Sequence, residues 1–218
     1  MSAELDIVNM EARTDHPRAY HHGDLRSALI AAGREVIEEK GLDGFSLRAA
    51  ARRAGVSPAA PAHHFGDARG LLTAIATVGF VEFGDAIEAA TGPDRRSTIV
   101  RRCHAYLAFA LAKPMLFRLM WRKTILDMDD PDHLAAARRA FEITDRTIRG
   151  VDAADAVDAR PDDRTLAPTI ACWSMVHGFT TLVLDGAFFG SAQDDPERLQ
   201  TMLDDLLMQL GTIERPME

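Results

Sequence analysis

The chain is poor in the residues that mark secreted proteins and in the motifs that mark enzymes. Two cysteines, Cys103 and Cys172, in 218 residues exclude a disulfide framework and suit a reducing compartment. The opening stretch MSAELDIVNMEARTDHPR is polar and acidic and holds no apolar segment of the signal-peptide kind, so a cytoplasmic protein is expected. There is no Gly-x-Ser-x-Gly, no His-Glu-x-x-His, no Glu-x-x-His and no glycine-rich phosphate loop. Serine-hydrolase, zinc-protease, di-iron and nucleotide-loop chemistries therefore find no support, and no enzyme is expected. His21-His22 and His63-His64 point apart on a helix and lack structural metal spacing, so neither a metal nor a cofactor is expected. No alternating Val/Ile run with hairpin signals occurs, which excludes a sheet.

What is present suits a helical globular protein. Hydrophobic residues make up 47% and charged residues 27%, enough for a core and a soluble surface. The net charge of −8 opposes nucleic-acid binding at first sight, yet it is unevenly spread. Residues 13–66 balance at +2 and hold five histidines, whereas residues 67–218 balance at −7. A mildly basic module precedes an acidic body. Thr165–Leu184 is free of Asp, Glu, Lys and Arg over a bilayer-spanning length, but it carries four threonines, a serine, a proline and a histidine. It reads as a helix buried in protein or at an oligomer interface, with no membrane partner.

Apolar spacing predicts an all-α fold of about nine helices. Leu25, Leu29, Ala32, Val36 and Ile37 share one face of a first helix over about 24–40, stopped by Gly41. Ser46 caps a second helix that runs to Ala54. Gly55-Val56-Ser57-Pro58 is a tight turn, with Ser57 as the next cap and Pro58 at the first helical position. A short third helix reaches Phe65, and Asp67 caps a fourth running to about Ala90. Further breaks precede Pro93, Pro114, Pro131, Pro161 and Pro196. This division gives a flexible arm (1–19), a three-helix head (20–66) and a helical bundle (67–214).

The second and third helices form a helix-turn-helix, which lays its second helix in the DNA major groove. Ser46 and Ser57 offer hydroxyls to phosphate, and Arg48, Arg52 and Arg53 lie on the first helix of the pair. The first-helix pattern ending in Gly41 is followed by Gly44-Phe45-Ser46-Leu47-Arg48, Ala50-Ala51, Ala54-Gly55-Val56-Ser57, His64-Phe65 and Leu71-Leu72. With this ordered set, residues 21–75 resemble the N-terminal domain of the tetracycline-repressor family. Pro114–Trp121 and Trp173–Phe179 resemble a C-terminal subfamily with a Trp-His-Gly mark.

The resemblance implies a homodimeric transcriptional regulator. It would bind a near-palindromic double-stranded operator, with Arg26, Ser46, Arg48, Ser57, Ala59, Ala60, His63, His64 and Arg69 as the DNA-facing set. A small-molecule effector in the C-terminal domain would spread the heads through the fourth helix and release the operator, as in a repressor. Two positions depart from the family pattern: Ala62 replaces the usual Tyr, and Ala68, followed by Arg69, replaces the usual Lys. The alternative is a helical small-molecule-binding or interaction protein that has lost operator binding.

The aromatic and methionine side chains Phe109, Met115, Phe117, Met120, Trp121, Phe141 and Met175 are rich enough to line an apolar ligand cavity. His104, Tyr106 and His177 would add orienting hydrogen bonds. For dimerisation, Trp173 and Leu182 on one helix and Leu199, Leu203, Leu206 and Leu210 on the last would form a four-helix seam about a two-fold axis. Cys103 lies beside Arg101 and Arg102, a setting for a redox thiol, but both cysteines read as core.

Overall fold

The computed structural model describes residues 22–150, 164–187 and 195–209. Among them are nine α-helices, two single 3₁₀ turns and no strand. The helices are α1 (His22–Lys40), α2 (Leu47–Arg53), α3 (Ala60–Phe65), α4 (Ala68–Ala89), α5 (Arg95–Ala112), α6 (Pro114–Met120), α7 (Pro131–Arg149), α8 (Ala167–Leu184) and α9 (Pro196–Gln209). The expected arm at 1–19, the break at Pro161 and the candidate Leu210 lie outside the described residues.

Local chemistry sets the ends of these helices. Ser46, Asp67, Asp94 and Asp130 each accept a backbone N–H from their own first turn, at Ala49, Gly70, Ser97 and His133. These bonds occupy donors that a helix start leaves unpaired. α2 ends at Gly55 (φ 68°), whose left-handed backbone lets Val56 N–H bond back to the Ala51 carbonyl at 3.0 Å.

The start of α3 differs from the sequence expectation. The helix begins at Ala60, Ala59 takes the capping position with no side-chain bond, and the Ser57 carbonyl accepts from Ala60 N–H at 3.0 Å. Two prolines explain the shift. A helix starting at Pro58 would place Pro61 where an N–H is needed. Starting two residues later puts Pro61 in the first turn, where its missing N–H costs nothing. Ser57 is thus the turn residue before the helix and not its cap.

α4 is the spine. Its buried residues run from Leu71 to Ile87 and cover most of its circumference, and it packs against α1, α3, α5, α6 and α7. Gly79 allows its closest approach to α6: a Cβ there would lie 2.9 Å from Met120 Sδ. α4 and the Arg164–Leu184 stretch are long and apolar enough to cross a membrane. In this fold α4 is enclosed by other helices, while α8 rests one side on α5, α7 and α9 and exposes Ile170 and Leu182 on the other.

Candidate functional site

The head built by α1–α3 presents α3 outward. Ser57, Pro58, Ala59, Ala62 and His63 are exposed, Ala60 and His64 are half-buried, and Pro61 faces the core. The His63 and His64 rings meet edge-on at 5.5 Å. Arg48 and Arg52 are exposed on α2, and no ion pair among the described residues holds them. Arg53 is withdrawn instead, bound to Glu35 at 2.8 Å and to Glu39, both on α1. Arg26 stacks its guanidinium over Phe65 at 5.3 Å, beside the end of α3.

Arg69 has a bond to the body that its spacing did not signal. Its Nε donates to the Leu126 carbonyl at 2.8 Å, so it ties α4 to the segment after α6. Only Nε is engaged, and the residue stays exposed.

A shared carboxylate ties the head to the body. Glu82 on α4 accepts from Arg34 of α1 at 2.5 and 3.2 Å and from Lys113 at the end of α5 at 2.8 Å. Burial works against its charge, but the hydrogen bonds from Arg34 and Lys113 outweigh it and hold its carboxyl below the usual range. At the tip, α4 is jammed against α3: a Cβ at Gly70 would sit 2.0 Å from the Phe65 carbonyl oxygen. A shift of the first turn of α4 therefore displaces α3 directly.

The body contains a cavity of about 210 Å³ between α4, α5, α6, α7 and α8. Tyr106, Met120, Trp121 and Phe141 line it, as the sequence led us to expect, together with Phe80, Phe83, Lys123, Met128, His133, Ala137, Ala140, Thr144 and Trp173. A smaller void of about 30 Å³ adjoins it and shares Tyr106, Thr144 and Trp173. The walls are aromatic edges: Phe83 meets Tyr106 at 4.9 Å and Phe80 meets Trp121 at 5.3 Å.

The polar residues of the lining are Tyr106, Lys123, His133 and Thr144, besides the two indoles. Tyr106 Oη and His177 Nδ1 are 2.7 Å apart. Burial raises the phenol pKa and lowers that of the imidazole, so both rings favour their neutral forms. Burial likewise lowers His133, whose Nδ1 is 3.3 Å from Thr77 Oγ1. Trp121 Nε1 is buried and has no partner among the described residues. An unpaired buried donor on a cavity wall is a ready contact for a ligand acceptor. His177 is not part of the cavity lining: with Trp121 it lines a groove of about 460 Å³ between α6 and Lys40–Asp43 at the end of α1.

Several candidates fall elsewhere. His104 points away from the cavity to Asp204 on α9, with Nε2 2.7 Å from Oδ1. Met115 packs by Gly41 under the head. Phe109 and Phe117 are buried in the aromatic core, in ring contact with Phe83 and Tyr106. Met175 and Trp173 exchange places. Trp173 turns inward onto Trp121, Phe141 and His177, whereas Met175 lines a groove of about 540 Å³ on the outer face of α8 and α9. Both residues are apolar, but they lie two apart and so on different faces of α8.

Leu199 and Leu203 need correction as seam residues. Both are fully buried in their own chain, with Leu207. The outer groove is formed instead by Leu182, Met202 and Leu206, with Ser174 and Gly178 at its base. One broad apolar stripe on α9 serves the chain's own core and an open face, and spacing alone does not divide it.

The cysteines meet where the sequence left them separate. Both line the small void, and a hydrogen bond between the thiols, with burial, pushes Cys103 well up. Arg101 is engaged with the Thr91 carbonyl at 2.7 Å and Arg102 with that of Ile143 at 2.9 Å. Neither activates the thiol.

A helix-turn-helix head fused through a shared spine to a hollow helical body defines a DNA-binding regulatory protein. Residues 29–75 match the family described as bacterial regulatory proteins, tetR family, and residues 99–206 match the tetracyclin repressor-like C-terminal domain. The chain is 32% identical to a protein of unknown function from Rhodococcus sp. RHA1, covering 88% of this chain and 98% of that one, with a TM-score of 0.69. A tetR-family regulatory protein from Rhodococcus RHA1 shares the fold at 23% identity, with a TM-score of 0.62 over 85% of this chain and 96% of that one. The uncharacterized HTH-type transcriptional regulator YobS of Bacillus subtilis (strain 168) is 22% identical over 192 residues, 87% of this chain and 91% of that protein. The chain belongs to the tetracycline-repressor family of transcriptional regulators and is not an enzyme.

Proposed function

We propose that the protein is a cytoplasmic homodimeric repressor, released from a near-palindromic operator by a small, mainly apolar effector. The carrying observation is that α4 serves both sites. Its first turn abuts α3 at Gly70, while Phe80 and Phe83 form a wall of the 210 Å³ cavity. A ligand that displaces Phe80 or Phe83 moves the DNA head through a rigid rod. Trp121, shared by the cavity and the head–body groove, offers a parallel contact. Effector release requires differential affinity for two head spacings, about 5.5 kcal/mol for a full reversal from 1:99 to 99:1.

The mainly apolar lining, with the exposed Lys123 as its one cation, favours an uncharged or weakly charged ligand with one or two acceptors. Trp121 Nε1 supplies a donor, and the Thr144 hydroxyl and the Tyr106 hydroxyl, the latter bonded to His177 behind the wall, supply orienting oxygens. The outer groove of α8 and α9 suits a two-fold seam, with Ile170 (41% exposed) and Leu182 (48% exposed) as its apolar contacts. The exposed α3 face, with Arg48 and Arg52 beside it and held in no ion pair among the described residues, favours this reading over a ligand-binding protein that has lost its operator.

Mobility shifts on fragments of the source chromosome, repeated with a panel of apolar compounds, test the proposal. One or a few fragments should be retained, and at least one compound should release them. Uniform weak retention of all fragments would overturn it.

A further inference from the structure

The operator-binding reading leaves open how bases are told apart, and the recognition helix narrows the answer. Between Gly55 and Gly66 the chain reads GVSPAAPAHHFG, with no Arg, Lys, Asn, Gln, Asp or Glu. Those are the side chains that form the hydrogen bonds by which guanine, adenine and cytosine are recognised in the major groove. The exposed surface of this segment consists of the Ser57 hydroxyl, the Pro58 ring, the Ala59 and Ala62 methyls and the His63 imidazole. It is short and mostly apolar. The apolar feature a base pair presents in the major groove is the C5-methyl of thymine. Small side chains also let the helix backbone approach closely, so methyl-to-methyl contact is within reach. Arg48 and Arg52 sit on the flanking helix, which crosses the backbone and so grips phosphates without reading sequence.

We propose that this protein recognises its operator through thymine 5-methyl groups packed against Ala59 and Ala62, with His63 as the hydrogen-bonding reader of the α3 face. This rests on operator binding as proposed above. The same chemistry makes 5-methylcytosine a partial substitute for thymine at the contacted positions.

The test modifies the DNA, so no variant needs to fold. Duplexes enriched from a random pool by the full-length protein are resynthesised with deoxyuridine in place of individual thymidines. Uracil keeps the pairing, the O4 acceptor and every phosphate, and removes one methyl. Each substitution under α3 should weaken binding about fourfold, the value of one buried methyl-sized group, and two should weaken it about fifteenfold. Uracils outside the α3 footprint should have no effect. At a contacted position, 5-methylcytosine should bind more tightly than cytosine. Ala59→Gly, tolerated at a capping position, should abolish the uracil penalty at its own thymine. Unchanged affinity for fully uracil-substituted duplexes, or enriched sites without thymine under α3, would overturn the proposal. Failure to enrich any sequence would instead show that operator binding itself is absent, and the proposal would fall with it.

Discussion

Replacing Glu82 by Gln should loosen the head from the body by a measurable amount. The carboxylate accepts two hydrogen bonds from Arg34 and one from Lys113. The three side chains are 27%, 30% and 37% exposed, so water screens them in part and the value for a fully buried pair does not apply. A partly screened pair contributes somewhat under 1 kcal/mol, so two give about 1–2 kcal/mol in all. Glutamine keeps the shape and one acceptor, so the loss should fall near the lower end. The assay is urea unfolding of both proteins at neutral and at acid pH. The carboxyl pKa is lower in the folded state, so its contribution is present above the unfolded value of about 4.3. It is lost as pH falls through the folded value. The difference between wild type and Glu82→Gln should therefore be seen at pH 7 and vanish in strong acid. Added salt should shrink it at pH 7. An equal difference at both pH values, or none at pH 7, would refute the reasoning.

Arg48→Ala should weaken binding to all duplexes alike and lower the log–log salt slope by about one unit, measured by fluorescence anisotropy at several salt concentrations, because one phosphate contact is lost. Ala137→Trp should fill much of the 210 Å³ cavity. Compounds that release DNA from the wild type should then have no effect, while operator affinity in mobility shifts stays within about twofold. Leu182→Glu places a charge on an open apolar face, so sedimentation should show monomers that unfold with near wild-type cooperativity but bind operator weakly.

Much of the fold is legible in the sequence because its punctuation is chemical. Ser46, Asp67 and Gly41 sit where their caps require, and each is followed or preceded by a continuous apolar face. α3 was misjudged by two residues, because Pro58 alone signals a start and only the pair Pro58 and Pro61 sets the true one. The cavity was half legible. Tyr106, Met120, Trp121 and Phe141 stand out by size, whereas His133, Ala137 and Ala140 become wall residues through the way α7 lies along α4. His104 was misplaced because its partner, Asp204, is a hundred residues away. The Glu82 junction and the thiol pair share that reason: each joins side chains from different helices, and helical spacing carries no information on such pairings.

The most direct test of the central claim is operator affinity as a function of salt. A fluorescent duplex carrying an enriched site and a random duplex of equal length would be titrated with the intact protein between about 50 and 200 mM salt, a range over which phosphate contacts change affinity strongly. The account predicts steep salt dependence for both duplexes and binding of the enriched site at least about a thousandfold tighter at physiological salt. Equal affinity for the two duplexes, with little response to salt, would contradict it.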